Sequence, residues 1–177
     1  MLNMKTKLLL FLIFITSISW GQICPIDETF TSNTLDKFNK EGYTSYDGSA
    51  SLRLASGSNN GILTSKPDLL VNVSGTVTID ILASGYNSNE KIFTVKLGND
   101  IRTINLNNSG INNLEQISTL VFSNVALNST LEIKANSGKR IYIKSVKLCY
   151  SNCTPPTFSG SINSINNCGN TVLSFNN

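Results

Sequence analysis

Histidine is absent from the 177-residue chain, and this absence removes several classes of catalytic site. Ser-His-Asp and Cys-His nucleophiles and histidine-ligated metal hydrolases all need an imidazole, so none of them can operate here. The carboxylate pair of a glycoside hydrolase remains chemically open. The acidic residues, however, lie mainly beside turns, where solvated loops and turn chemistry account for them; they include Asp27, Glu28, Asp36, Asp47, Asp68, Glu90 and Asp100. We therefore predict that the protein is not an enzyme.

Long hydrophobic runs are also lacking. The longest, Leu8–Ile15, falls well short of the roughly 20 residues that cross a bilayer. Lys5 and Lys7 precede it and the small-residue site Ser19-Trp20-Gly21 follows it, an order typical of a cleaved secretion signal. We expect residues 1–21 to be this signal and the mature protein to be secreted or held at the cell surface, with no membrane span.

An excess of charge of one sign is missing as well. Removing Lys5 and Lys7 with the signal leaves 12 of the 14 basic residues against 11 acidic ones, a net charge of +1. The remaining basic residues are scattered singly, apart from Lys139-Arg140. This distribution gives no electrostatic surface for nucleic acid, and we expect no nucleic-acid partner.

Cysteine is scarce but even in number: Cys24, Cys149, Cys153 and Cys168. In an oxidising compartment this predicts two disulfides, with three pairings open from the residues alone. A zinc site is disfavoured because the spacings do not form paired short knuckles. A lipid anchor on Cys24 is disfavoured because Ile23, directly before it, is not small.

Short alternating segments separated by Gly, Asn, Ser and Asp clusters predict strands throughout the middle of the chain. The predicted strands are Ser51–Ala55, Gly61–Ser65, Thr76–Ala83, Lys91–Leu97, Arg102–Asn107, Ser118–Phe122, Thr130–Ala135 and Arg140–Tyr150, with Glu28–Phe30 as an edge strand. This pattern is typical of an all-β fold, a two-sheet antiparallel sandwich of about eight to nine strands.

Two details refine that prediction. In Thr76–Ile81, the residues Val77, Ile79 and Ile81 should share a buried face. In Arg140–Tyr150 the apolar register changes, so we expect a β-bulge at Lys144-Ser145.

Only two segments look able to form helical turns, Ser32–Lys40 and Asn112–Ser118. A linker rich in proline and polar residues begins after Tyr150, and a new alternating pattern follows it. Two strands cannot bury a core. We therefore expect a sandwich module over residues 22–151 and the truncated start of a second β module over 152–177.

The order of four segments resembles the galactose-binding-like jelly-roll modules of large secreted proteins from Bacteroidota-type bacteria. The segments are Asp47–Leu54, Gly61–Pro67, Gly75–Gly85 and Lys139–Leu148, and the resemblance covers residues 28–150. Such modules often carry Asp-Asp or Asp-Asn where this chain has Lys144-Ser145, so no role of an acidic pair carries over. The tail from Cys153 to Phe175 resembles the start of an Ig-like or fibronectin-like repeat.

The resemblance implies a jelly-roll fold within a multidomain surface or secreted protein, exported by type IX secretion. Jelly rolls commonly bring their terminal strands side by side, which implies a Cys24–Cys149 disulfide and leaves Cys153 and Cys168 to pair in the next module. The competing pairing, Cys149 with Cys153, would close a very small loop.

The resemblance also implies a non-catalytic module that binds glycan or cell-surface polysaccharide, for adhesion or for an attached enzyme. Sugars stack on aromatic rings flanked by amides and carboxylates, and the candidate rings in polar segments are Tyr43, Tyr46 and Tyr86. A structural spacer domain without a ligand site is the alternative. No cofactor is expected. Structural calcium stays open because oxygen ligands are plentiful in Asp27, Glu28, Asp47 and Asp68. They form no spaced loop motif, so no metal residues are assigned.

Overall fold

The computed structural model describes residues 22–31, 35–48, 51–111, 116–151, 163–167 and 170–174. Within these ranges the protein consists of strands and connecting turns. The same ranges contain no helix that could span a membrane. The larger of two compact units is Cys24–Tyr150, and the smaller includes a two-stranded hairpin.

Two antiparallel sheets form a β-sandwich, as the alternating sequence predicts. The strands are β1 (Gln22–Thr29), β2 (Phe38–Gly42), β3 (Thr44–Tyr46), β4 (Leu52–Leu54), β5 (Gly61–Ser65), β6 (Gly75–Gly85), β7 (Ile92–Leu97), β8 (Asp100–Asn105), β9 (Gln116–Val125), β10 (Leu131–Ala135), β11 (Ile141–Ser151), β12 (Asn163–Asn167) and β13 (Asn170–Ser174). One sheet has the order β3-β4-β11-β6-β9, with β1 also paired to β11, and the other has the order β2-β5-β10-β7-β8.

The central strand β6 has one buried and one outward face. Val77, Ile79 and Ile81 are fully buried, whereas Thr78 and Asp80 between them are partly exposed on the opposite face. This confirms the predicted alternation. The facing sheet contributes Leu63, Ile133 and Val95 from paired positions of β5, β10 and β7, so the core lies between the two sheets.

A bulge resets the register of β11 partway along the strand. The pairing with β6 shifts between Ile143 and Ser145. This shift keeps Ile141 and Ile143 buried before it and Val146 and Leu148 buried after it. The predicted bulge at Lys144-Ser145 is therefore confirmed.

The strand β1 pairs with β11 and is covalently joined to it. The pairing of β11 with β4 ends at Ile143. At the next residue of β11, the Lys144 carbonyl oxygen accepts a hydrogen bond of 2.8 Å from the Phe30 amide, directly after β1. A disulfide joins Cys24 to Cys149, the pairing that the jelly-roll resemblance implied. Cys153 and Cys168 lie outside the described residues.

The helical turn predicted over Ser32–Lys40 is wrong for its last part, because β2 begins at Phe38 and pairs with β5. The buried carboxylate of Glu28 accepts hydrogen bonds from the Asp36 amide at 3.0 Å and the Lys37 amide at 2.8 Å. Residues 36 and 37 form a bend and not a helical turn, and residues 32–34 lie outside the described ranges. The other predicted turn, Asn112–Ser118, overlaps β9 from Gln116 onward, and residues 112–115 lie outside the described ranges.

The predicted strand count was too low, because the sandwich contains eleven strands and not eight or nine. The two additional strands, β2 and β3, are short and lie at sheet edges. In the predicted second module, β12 and β13 form an antiparallel hairpin. The prolines of the predicted linker, residues 155 and 156, lie outside the described ranges.

Candidate functional site

The three candidate tyrosines do not meet on one surface. Tyr46 lies within β3, not in a loop, and is paired with Leu52, whose side chain belongs to the core. Directly paired residues share a face of the sheet, so Tyr46 lies on the core-facing side of this edge strand. Tyr43, between β2 and β3, and Tyr86, directly after β6, both contact side chains of the opposite, outward face.

These two tyrosines belong to a continuous set of side chains on the outward face of the six-stranded sheet. We call it the arginine–tyrosine row and define it as Tyr43, Arg53, Tyr142, Tyr86 and Arg140. Arg53 of β4 and Tyr142 of β11 are directly paired across the two strands. Their neighbours along the strands, such as Leu54 and Ile143, point into the core, and this alternation fixes the outward direction of the row.

Arg53 holds the first end of the row. Its guanidinium lies 5.1 Å from the centre of the Tyr43 ring and donates a hydrogen bond to the Tyr43 hydroxyl. Asp47 faces the same guanidinium at 3.7 Å. The Tyr43 ring is therefore oriented by a cation–π contact and a hydrogen bond together.

Tyr86 holds the second end. Its ring stacks with that of Tyr142, with the ring centres 5.7 Å apart and the planes inclined by 28°. The Arg140 guanidinium lies 3.6 Å from the centre of the Tyr86 ring. Arg140 and Tyr142 are two positions apart along the chain and share the outward face, so Tyr86 is positioned by both.

An ion pair fixes Arg140 against the loop that follows β6. Its Nε and Nη2 atoms donate to the two carboxylate oxygens of Glu90 at 2.6 and 2.5 Å. The Arg140 amide and the Asn87 side-chain amide donate to the same carboxylate. The hydrogen bonds from the Arg140 side chain are the main reason that the pKa of Glu90 falls to about 2, and the same contact raises the pKa of Arg140.

The row carries balanced charge. Its two arginines face two carboxylates, Asp47 and Glu90. Burial of Tyr142, followed by the nearby Asp47 carboxylate, raises the pKa of the Tyr142 hydroxyl and keeps it neutral. The surface therefore offers rings, hydroxyl groups and paired polar groups without a net charge.

The outward face of the five-stranded sheet is different in character. Its described strand residues present threonine, lysine, glutamate and isoleucine side chains and no aromatic ring; the central ones are Ile62, Thr64, Thr94, Lys96, Glu132 and Lys134. Nor do the described residues bring three or more acidic, cysteine or histidine side chains together as a metal site. The arginine–tyrosine row is therefore the better candidate for ring stacking.

Sequence reasoning identified Tyr43 and Tyr86 but missed Arg53, Tyr142 and Arg140. The signal for Arg140 and Tyr142 was present, because they alternate with the apolar residues Ile141 and Ile143 in a predicted strand. Such alternation places both on the outward face. Their approach to Tyr86 depends on strand pairing, which the alternation does not specify.

Comparison with known proteins shows the fold. No protein-family model and no curated protein sequence matches the chain. Among solved structures, BiXyn10A CBM1 in its apo form matches with a TM-score of 0.54 and 14% identity over 72% of this chain and 99% of that chain. The CBM22-1–GH10 modules of Clostridium thermocellum xylanase 10B, complexed with xylohexaose, match with a TM-score of 0.52 and 12% identity over 77% of this chain and 30% of that chain.

At these identities the similarity concerns the fold alone. The chain has the jelly-roll β-sandwich fold that occurs in carbohydrate-binding modules. The expected fold class is thereby confirmed.

Proposed function

We propose that the protein is a non-catalytic module that binds an uncharged glycan on the arginine–tyrosine row. The observation that carries this proposal is the placement of Tyr43 and Tyr86 on one outward surface, each half-buried and each oriented by an arginine. The fold shared with BiXyn10A CBM1 supports it.

The chemistry of the row favours a neutral sugar. Tyrosine rings offer an apolar surface to the C–H face of a pyranose. The side chains of Arg53, Asp47 and Arg140 are 23%, 35% and 26% exposed, so their polar groups are available to sugar hydroxyls at the margins. Because each arginine already has a carboxylate partner, the row offers no unpaired cation to a uronate or sulfate group.

A glycan array probed with the full chain, followed by titration of any ligand found, tests the proposal. We expect replacement of Tyr43→Ala and Tyr86→Ala together to weaken binding at least about tenfold, since stacked aromatic contacts each contribute about 1 kcal/mol. Tyr43→Phe with Tyr86→Phe keeps the rings and should retain most of the affinity. Thermal melting of each variant separates loss of binding from loss of folding.

Tyr46→Ala is the matched control, because Tyr46 lies on the opposite side of its strand. It should retain the affinity of the unmodified chain. Equal loss in Tyr46→Ala and in the Tyr43/Tyr86 variant, or unchanged affinity in both, would contradict binding on the row.

One observation favours a second candidate, a structural spacer domain without a ligand site. The contacts of Tyr43 and Tyr86 described above are all intramolecular. They are also consistent with a purely structural role, in which the row holds β4 and β11 against the loop after β6. An empty glycan array combined with a large loss of thermal stability in the Tyr43/Tyr86 variant would support the spacer.

We also infer that the protein is secreted or displayed at the cell surface as part of a larger polypeptide. The N-terminal signal pattern and the Cys24–Cys149 disulfide support an extracytoplasmic location. Bacteroidota origin, type IX secretion and an Ig-like second module belong to the same proposal, which rests on the sequence resemblance. Sequencing the secreted protein from its N-terminus would test cleavage after Gly21.

A further inference from the structure

A cleft of about 480 Å³ opens at the other end of the sandwich. It lies between the turn joining β7 to β8, Leu97–Asp100, and the segment Phe122–Thr130 that ends β9 and leads into β10. The 11-residue strand β6 runs from Gly75 to Gly85. Gly75 is paired with Val125 beside the cleft, and Gly85 lies next to Tyr86. The cleft and the arginine–tyrosine row are therefore roughly 30 Å apart.

The polar lining of the cleft is nearly all uncharged. Amide side chains come from Asn99, Asn124 and Asn128, and hydroxyl groups come from serine and threonine. The only charged residue in the lining, Asp100, is neutralised by Arg102 at 2.8 Å. Amides and hydroxyls both donate and accept hydrogen bonds, which matches the hydroxyl groups of a sugar and gives no preference for an ion.

The same cleft has an apolar side. Leu127 is 58% exposed, although it is a large hydrophobic residue, and it lines the cleft beside Ala126. Pockets for small molecules typically have volumes of roughly 300–1,000 Å³, and the cleft lies within this range. Its lining is mainly polar, with Leu127 as an exposed apolar contact.

The backbone shows how two of these amides can be tested. Asn124 and Asn128 adopt left-handed conformations, with φ of 57° and 59°, which asparagine tolerates in turns. Glycine adopts the same conformation without steric cost, so glycine at these positions would remove the side chains and keep the turns.

We propose that this cleft is a second binding site, for a small uncharged sugar such as the terminal residue of a glycan. The apolar face of the sugar contacts Leu127, and its hydroxyl groups bond to the side-chain amides of Asn124 and Asn128. This site is separate from the arginine–tyrosine row, and neither depends on the other.

The test uses the ¹⁵N-labelled full chain, titrated separately with D-galactose, D-glucose, D-mannose and D-xylose. At least one sugar should shift the amide resonances of Gly98, Asn99 and Leu127–Ser129. The Asn124→Gly/Asn128→Gly variant keeps the left-handed backbone and removes both amide side chains. Because two hydrogen bonds to the sugar are lost, the Kd should rise at least about tenfold.

Asn59→Gly is the matched control, since Asn59 is an exposed asparagine in the β4–β5 loop at the far end of the sandwich. Its Kd should equal that of the unmodified chain. The proposal is overturned if none of the four sugars shifts the cleft amides, or if the Asn124/Asn128 variant binds unchanged. If that variant fails to fold, the amide shifts measured on the unmodified chain decide whether a sugar binds in the cleft. Shifts confined to amides around Tyr43, Tyr86 and Arg140 would reject the cleft while supporting the row.

Discussion

At the residue scale, the contact between Glu90 and Arg140 shows how one ion pair positions an aromatic ring. The carboxylate accepts two hydrogen bonds from the Arg140 guanidinium, and that guanidinium lies against Tyr86. Glu90 is only 12% exposed, so the pair is better shielded from solvent and salt than an ordinary surface pair. Orientation of Tyr86 therefore depends on the Glu90 carboxylate through Arg140.

The depressed pKa of Glu90 predicts a pH dependence of stability. Its pKa falls from 4.5 to about 2 on folding, so its contribution is present above about pH 4.5 and is lost as the pH falls toward 2. We expect Glu90→Gln to melt a few degrees below the unmodified chain at pH 7 and to converge with it near pH 2. Thermal melts at pH 7, 4 and 2 measure this difference.

Glu41→Gln removes an exposed carboxylate from β2 and serves as the matched control. If the difference between Glu90→Gln and the unmodified chain were the same at all three pH values, the charge of Glu90 would not be what stabilises the pair. Glu90→Gln should also bind glycan more weakly if Tyr86 takes part in binding.

At the element scale, most of the nine predicted strands were found because they alternate with period two or carry an unbroken apolar run. The strands β2 and β3 were missed for a physical reason. Phe38 is the only buried residue of β2, and β3 has three half-buried residues, so neither shows an alternating pattern. Their extended form comes from pairing with β5 and β4, and such tertiary pairing overrides weak local preference.

Gly61 shows how closely these elements approach one another. A Cβ at this position would overlap the Ala55 amide nitrogen and the Tyr43 carbonyl oxygen, which are backbone atoms that cannot rotate away. We expect Gly61→Ala to destabilise the fold by about 1–3 kcal/mol or more, the usual range for overpacking. It should also displace Tyr43. Urea denaturation measures the loss of stability.

Gly57→Ala provides the comparison within the same loop region, because a Cβ at Gly57 meets nothing within 4 Å. Its free energy of unfolding should stay within about 0.5 kcal/mol of the unmodified chain. Equal stability of the two variants would show that the backbone around Gly61 moves apart at little cost.

At the scale of the whole molecule, the sequence predicted the fold class but not the order of the strands. Alternation is a local property, whereas β11 lies between β4 and β6 through contacts distant in sequence. The candidate site follows the same rule. Tyr43 and Tyr86 could be chosen by residue type, but the arginines that orient them are brought close only by the pairing of β4, β11 and β6.

The Cys24–Cys149 disulfide joins two strands that are already paired and that lie near the ends of the compact unit. It closes a loop with a sequence separation of 125, and by the chain-entropy model it stabilises the fold by at most roughly 5 kcal/mol. The continuous hydrophobic core between the sheets is formed without either cysteine. We therefore expect the Cys24→Ser/Cys149→Ser variant to keep its β-sheet circular dichroism spectrum at 25 °C and to melt at a lower temperature. An unfolded variant would mean that the core is insufficient without the crosslink. An unchanged melting temperature would show that the disulfide does not stabilise the fold. A Cys149–Cys153 peptide in a non-reducing digest of the unmodified protein would show that Cys149 has a different partner.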